Sequence, residues 1–323
     1  MHSTARGPSL GGCRLWGYDD ARAAMRDALR LSEGMTWKSA VAGLPLGGGK
    51  GVIMARPGEA LSHGRRREAL LDFADTVASL DGSYVTAEDV GTSTADMTVI
   101  AERTSHVTGL AVARGGSGDP SPFTALGVEA SIAAALEHRF GSPELRGRSI
   151  AVVGLGHVGL PLARGLAAGG AELLVTDIDP RRRAEAEALG ARWVGVTEAM
   201  TAPVDVLCPC ALGGSLDHDS VPALQAPIVA GAANNQLAGA EVALLLAEHD
   251  VLWAPDFVAN AGGIINIAAE LAPGGYDPGR ATAQVREIGA TMRAILADAA
   301  TSGQTPLAAA MSLAHRRVAE ASL

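Results

Sequence analysis

Aromatic side chains are scarce: phenylalanine, tryptophan and tyrosine together make up 3% of the 323 residues, so the core has to be filled with aliphatic side chains. Cysteine is nearly absent as well. Cys13, Cys208 and Cys210 form an odd, sparse set, which argues against a disulfide scaffold and for a reducing, cytoplasmic setting. No run of 18 apolar residues occurs, so no segment is suited to spanning a membrane. The first eight residues lack the apolar stretch of a signal peptide. Positive charge is in deficit: 26 Lys and Arg face 35 Asp and Glu, giving a net charge of −9. The arginine runs at 65–67 and 181–183 are short and suit a solvated surface, so no nucleic-acid partner is expected. What the chain does have is 48% hydrophobic residues and 40 glycines. That composition excludes disorder and coiled coil, and it points to buried cores with tight turns and close backbone approaches. The length suits two domains.

Hydrophobic spacing lays out the elements. Ala21, Ala24, Met25, Ala28 and Leu29 recur at helical intervals, with Asp19 or Asp20 able to cap the helix and Gly34 able to end it. Residues 35–54 read as a helix or turn, a Gly-rich loop and a short apolar strand. A helix is expected over about 66–80, a strand over 83–86, and a Gly/Ser/Pro-rich hinge over 114–122. An Ala-rich helix follows at about 123–140. The second half alternates strand and helix, with strands expected at 149–153, 172–176, 191–194, 204–208, 228–231 and 251–254. Helices at about 279–301 and 306–322 close the chain. The pattern predicts an α/β protein of two domains. The first covers 1–122 and is completed by about 303–323; the second, over 123–302, is a Rossmann-type, doubly wound dinucleotide domain.

The sequence from Ile150 to Gly159 places a strand before Gly154-x-Gly156-x-x-Gly159 at the start of a helix. Gly154 permits the tight turn, Gly156 lets a pyrophosphate approach the backbone, and Gly159 lets helix and strand pack closely. His157 and Val158 lie inside this cofactor loop, and no catalytic role is assigned to His157. Asp177 follows 18 residues after Gly159, at the end of the next strand, where a carboxylate can bind ribose hydroxyls. A carboxylate there favours NAD over NADP, and the arginines at 181–183 are close enough to reverse that preference.

Lys38 and Lys50 are 12 residues apart, and Lys50 sits in Leu46-Gly-Gly-Gly-Lys-Gly-Val-Ile53. A solvated surface lysine has no reason to run straight into an apolar strand. The three glycines are expected to let backbone and substrate meet closely. A Walker loop is excluded, because Gly51 stands where that motif needs Ser or Thr.

With these motifs in place, the chain resembles the Glu/Leu/Phe/Val dehydrogenase family, above all its leucine and valine members. The resemblance runs through Gly7-Pro-Ser-Leu-Gly-Gly-Cys-Arg14, Gly34-Met-Thr-Trp-Lys38 and Leu46–Lys50. It continues through Thr86-Ala-Glu-Asp-Val-Gly-Thr92, Pro209-Cys-Ala-Leu-Gly-Gly214, Gly231-Ala-Ala-Asn-Asn-Gln-Leu237 and Ala254-Pro-Asp-Phe-Val-Ala-Asn-Ala-Gly-Gly263. It implies that Lys38 binds a substrate α-carboxylate with help from the backbone at Gly12. Lys50 is implied as the catalytic lysine that activates water, and Asp89 as the general acid/base. Asn234 is implied to contact substrate or nicotinamide ribose, Thr124 the nicotinamide amide, and Asn260 to lie nearby; Cys210 and Ala211 are implied beside the cofactor. A homo-oligomer follows from the same resemblance, with the first domain serving substrate binding and oligomerisation. The relatives carry a leading strand and helix ahead of the segment matching Met1, which bears on oligomeric state.

The resemblance also implies the substrate class. Relatives acting on glutamate carry a lysine where this chain has Leu10, so a second substrate carboxylate would be left unpaired. Leu10, Ala87, Ile264 and Ile267 are all aliphatic and imply a pocket for valine, leucine or isoleucine. The expected activity is reversible, NAD-dependent oxidative deamination of such an amino acid to its 2-oxo acid and ammonia. Two alternatives stay open: a dehydrogenase for aromatic amino acids, and a homologue that binds or condenses in a biosynthetic pathway with little deaminase activity. Cys208 and Cys210 alone do not make a metal site, and none is expected.

Overall fold

The computed structural model describes residues 1–321 and divides into two compact units. One comprises Met1–Pro120, Ile264–Ala281 and the residues from Leu313 onward; the other comprises Ser121–Gly263 and Thr282–Ser312. Two features separate this division from the expected one. Ile264–Ala281 belongs to the first unit, where the Glu270 carboxylate accepts hydrogen bonds from the Gly109 and Ser117 amides at 2.9 and 2.7 Å. Residues 303–312 belong to the second unit, where Leu307 packs on the core. The expected ends at 322 and 323 lie outside the described residues.

The first unit is built on β1 (Ser9–Gly17), which pairs in parallel with β2 (Gly47–Gly48), β3 (Gly51–Ala55) and β4 (Tyr84–Glu88). Helix α1 (Ala21–Val41) starts at Asp20, whose carboxylate accepts from the Ala23 amide at 2.7 Å. It does not stop at Gly34. That glycine has open space beside it and costs about 1 kcal/mol in a helix interior, while Thr36, Ser39, Ala40 and Val41 extend the buried face beyond it. Arg317 closes the far end, its Nη1 donating to the Ala40 and Val41 carbonyls. Helices α2 (His63–Ala78) and α3 (Thr94–Ile100) cover the sheet, and Cys13, Leu70, Ala74, Met97, Ile100 and Val107 form a core cluster. The expected hinge is a short 3-10 turn at Val112–Arg114 followed by an irregular run to Ser121.

The second unit opens with α4 (Ser121–Phe140), then β5 (Ser149–Val153), α5 (Gly159–Ala168), β6 (Glu172–Thr176), α6 (Arg183–Glu187) and β7 (Arg192–Trp193). It continues with α7 (Val196–Met200), β8 (Val206–Pro209), β9 (Ile228–Val229), α8 (Val242–Glu248), β10 (Leu252–Trp253) and α9 (Asp256–Ala259). Three helices end the chain: α10 (Gly262–Ala268), α11 (Pro278–Ser302) and α12 (Pro306–Glu320). All six strands are parallel, in the order β10-β9-β8-β5-β6-β7. The chain thus leaves β5 in one direction and later returns to its other side at β8. In such a doubly wound sheet the crevice at that switch point, beyond the carboxyl ends of the strands, receives a dinucleotide.

Candidate active site

Lys50 immediately precedes β3 and Asp89 immediately follows β4, so the two strands flanking β1 deliver them to the same place. β1 lies between them with Gly12, which is paired with Ala87. A Cβ on Gly12 would come within 2.7 Å of the Asp89 Cβ and 2.5 Å of the Glu88 carbonyl, so only glycine leaves room for Asp89 above the strand. Lys50 Nζ then lies 2.8 Å from Asp89 Oδ1. The turn carrying Asp89 is pinned by Thr92, whose hydroxyl accepts from the Asp89 amide at 2.9 Å and lies 2.8 Å from the Cys13 carbonyl. Gly91 adopts φ +82°, and a Cβ there would lie 1.9 Å from the Leu15 carbonyl, so no side chain fits.

The three glycines before Lys50 stand where the protein's own chain is crowded. Side chains on them would strike the Ser3 carbonyl, the backbone of Thr36 and the Tyr84 ring. They make room for the protein's own backbone and for Tyr84, whose hydroxyl donates to the Gly11 carbonyl at 2.6 Å.

Burial drives the Lys50 ammonium toward its neutral form. The Asp89 carboxylate pulls the other way, and the net effect is a pKa below the ordinary lysine value. Burial would raise Asp89, but the Lys50 ammonium and the Arg14 guanidinium outweigh it and hold the carboxyl below its ordinary range. A lysine poised toward neutrality beside an ionised carboxylate is suited to activating water and exchanging protons. Cys13, behind them, is fully buried and pushed up to about 12, so it is an inert packing group. Lys38 is half-buried in the last turn of α1. Leu10 and Ala87 are buried on β1 and β4, and Ile264 and Ile267 are buried three residues apart on α10.

In the second unit the Gly-rich turn fits a dinucleotide. Gly154 has φ +104°, and a Cβ on Gly159 would lie 1.9 Å from the Gly154 carbonyl. Gly156 is exposed and nothing lies within 4 Å of where its Cβ would be, which leaves the backbone open to an approaching pyrophosphate. His157 is exposed and Val158 half-buried in the same loop. Asp177 Oδ2 accepts from the Leu155 amide at 2.6 Å, and its Oδ1 from the Asp179 amide at 2.8 Å, which fixes the carboxylate at the lip of the turn. The neighbouring arginines are engaged elsewhere: Arg181 with Asp179, Arg182 with Glu185, Arg183 with Glu187. Cys210 and Ala211 pack on Gly159 and Gly154 from the end of β8, and Gly262 packs on Thr124. Asn260 donates to Asn234 Oδ1 at 2.9 Å and to the Ala232 carbonyl, while its own buried Oδ1 has no partner. Among the described residues no helix is long and apolar enough to cross a membrane.

Arg14, Asp27 and Tyr18 were not singled out from the sequence, yet they join the Lys50–Asp89 pair. Arg14 Nε donates to Asp89 Oδ2 at 2.9 Å and its Nη1 to Asp27 Oδ2 at 2.9 Å; the Tyr18 hydroxyl donates to that same oxygen at 2.6 Å. The available signal was the place of Arg14 at the end of the first family-like motif, directly after Cys13.

The family model described as Glu/Leu/Phe/Val dehydrogenase, dimerisation domain, matches residues 1–106, and that described as Glutamate/Leucine/Phenylalanine/Valine dehydrogenase matches 175–323. A model for the NAD binding domain of D-isomer specific 2-hydroxyacid dehydrogenases matches 129–214. The chain is 45% identical to a valine dehydrogenase of Streptomyces virginiae over 99% of its own length and 89% of the relative's. It is 42% identical to a leucine dehydrogenase of Bacillus subtilis (strain 168), over 98% and 86%. The crystal structure of L-tryptophan dehydrogenase from Nostoc punctiforme superposes with a TM-score of 0.87 at 40% identity, covering 99% of this chain and 91% of that one. Matched along both units by sequence and by fold, the chain belongs to the Glu/Leu/Phe/Val dehydrogenase family.

Proposed function

We propose that the protein is an NAD-dependent dehydrogenase that oxidises a branched aliphatic L-amino acid (valine, leucine or isoleucine) reversibly to the 2-oxo acid and ammonia. The observation that carries this reading is the buried Lys50–Asp89 contact of 2.8 Å, in a chain 45% identical to a valine dehydrogenase. Hydride leaves Cα only when the nitrogen lone pair can push it, so the substrate ammonium must first lose a proton, and Asp89 is the acceptor. Lys50, in its neutral form, holds and activates the water that attacks the iminium carbon. Lys38, with the backbone at Gly12, binds the α-carboxylate. Leu10, Ala87, Ile264 and Ile267 form the side-chain pocket, in which a second carboxylate would be buried without a partner.

Bound NAD supplies the hydride acceptor. Gly154, Gly156, His157, Val158 and Gly159 form its turn, Asp177 takes the ribose hydroxyls, and Cys210, Ala211, Thr124, Asn234 and Asn260 complete the site. The Asp177 carboxylate, held by the Leu155 and Asp179 amides, supports NAD over NADP, since a negative charge there repels a 2′-phosphate. The match of residues 1–106 to a dimerisation domain supports a homo-oligomer, and three free cysteines support a reducing cytoplasm. The likeness to an L-tryptophan dehydrogenase keeps an aromatic substrate as the second reading.

Absorbance of the reduced nicotinamide, followed with NAD or NADP and a panel of L-amino acids at alkaline pH, tests this. Valine, leucine and isoleucine are expected to give the highest kcat/KM with NAD. Tryptophan or phenylalanine in first place selects the second reading, and no amino-acid-dependent reduction of either dinucleotide overturns the assignment as a dehydrogenase.

A further inference from the structure

Both oxygens of Asp89 are engaged, and by unequal partners. Oδ1 meets Lys50 at 2.8 Å; Oδ2 accepts from Arg14 Nε at 2.9 Å. A lysine that is driven toward neutrality can release its hold, whereas a guanidinium stays protonated at every working pH. Arg14 is in turn held from its other side. Asp27, on α1, takes Arg14 Nη1 and the Tyr18 hydroxyl on Oδ2 and Arg30 Nη2 on Oδ1, at 2.9, 2.6 and 2.8 Å. The side chains of Arg14, Asp27 and Asp89 are 21%, 18% and 20% exposed, so the chain of contacts is largely withdrawn from water. Burial would raise the Asp27 carboxyl, but Tyr18, Arg30 and Arg14 outweigh it and keep it ionised. The other titratable neighbours are the Cys13 thiol, pushed up to about 12, and the buried Tyr84 phenol, which burial pushes up as well; both stay neutral.

We propose that Arg14, anchored by Asp27 and Tyr18, is a positioning residue of the deamination site: it occupies Asp89 Oδ2 and so confines proton exchange with the substrate nitrogen to Oδ1, the oxygen shared with Lys50. As the N–H bond of the ammonium breaks, the O–H bond forms at Oδ1, and Arg14 keeps all of its own protons. The single reacting oxygen thus lies on the side of the lysine that activates water, and the two proton-handling groups stay in register. This inference rests on the reading of Lys50 and Asp89 as the reacting pair.

The test uses the full chain with Arg14→Met, Arg14→Lys and Asp27→Asn, with kcat and KM measured across pH for the best amino acid of the panel. Arg14→Met should lower kcat ten- to a hundredfold with KM within about threefold, the scale of a misplaced catalytic group. It also removes a cation that disfavours the Lys50 ammonium, so the midpoint of the rising limb of kcat/KM should move up by about half a unit to one unit. Arg14→Lys keeps the charge and should restore that midpoint while leaving kcat low. Asp27→Asn frees the anchor and should lower kcat; because it also removes a carboxylate that favours the Lys50 ammonium, the midpoint should move the opposite way, slightly down. A merely structural role predicts falling Tm in all three with no shift of midpoint. That result, or an Arg14→Met enzyme with kcat within twofold of wild type, overturns the inference. Acetic anhydride labelling of Lys50 across pH, read by mass spectrometry, follows the same midpoint without any turnover. If the wild type deaminates nothing, the proposed function fails on its own, and an unshifted labelling midpoint in Arg14→Met still counts against Arg14.

Discussion

Two lysines of the same formal charge end up in different surroundings. Lys50 has a side chain only 5% exposed and lies against Asp89, whereas Lys38 stays half-buried at the end of α1. Lys50→Ala should therefore cut kcat by about three orders of magnitude or more, while NADH binding, followed by its fluorescence, is retained because the Gly154–Gly159 turn lies in the other unit. Lys38→Ala should mainly raise KM for the amino acid, as expected for a residue pairing with the α-carboxylate in ground and transition states alike. Turnover with pH has a definite sign. Water activation needs the neutral lysine, whose pKa lies below the ordinary 10.5, so kcat/KM should climb with pH and level off before that value. A midpoint at or above 10.5 would place the titrating group elsewhere. Lys50 was singled out in the sequence by a run of glycines leading straight into an apolar strand, and Asp89 only by the likeness of Thr86–Thr92 to the family motif. Arg14 and Asp27 were not, since nothing in the local pattern around either residue points to a partner distant in the sequence. Only the pairing of β1 with β3 and β4, over the first turns of α1, brings them together.

At the scale of elements, the legible strands were the apolar ones. β5 and β6 fall at the expected residues, because their aliphatic runs are bounded by turn residues. β1, the central strand of the first unit, was not foreseen. It contains Gly11 and Gly12, and glycine is depleted in strands. Those glycines are nonetheless required, since a Cβ on Gly11 would lie 1.7 Å from the Gly49 carbonyl. Backbone crowding, which no local pattern records, overrode strand propensity. The same crowding separates two glycines of the dinucleotide turn by experiment. Gly159→Ala forces its Cβ against the Gly154 carbonyl, and should lower Tm, by about 1–3 kcal/mol of overpacking, together with cofactor affinity. Gly156→Ala meets nothing within 4 Å and should keep the wild-type Tm while weakening NADH binding at least tenfold. Equal affinity in the Gly156→Ala protein would remove the turn from the cofactor site.

At the scale of the whole molecule, the chain leaves the first unit at Pro120, builds a complete doubly wound sheet, and contributes Ile264–Ala281 back to the first unit. The four pocket candidates, Leu10, Ala87, Ile264 and Ile267, thereby belong to one unit although they span most of the sequence. Burial does not say what they do: their exposures of 1%, 4%, 7% and 8% fit a pocket wall as well as a core. Position on α10 is more informative. Ile264 and Ile267 are three residues apart and share a face, and they are the largest side chains of the set along with Leu10. If that face bounds the substrate side chain, Ile264→Ala enlarges the site, and kcat/KM should shift from valine toward leucine, phenylalanine or tryptophan by about 1–3 kcal/mol. If the face is simply packed, the same change leaves a cavity and costs about 2–5 kcal/mol of stability with the substrate order unchanged. Tm measured beside the substrate panel separates the two, because a new preference in a protein of nearly wild-type Tm can only come from a wall the substrate touches. The expected outcome is the shift in preference. A destabilised enzyme with an unaltered ratio of valine to phenylalanine would return both isoleucines to the core and leave Leu10 and Ala87 as the only remaining determinants of the side chain.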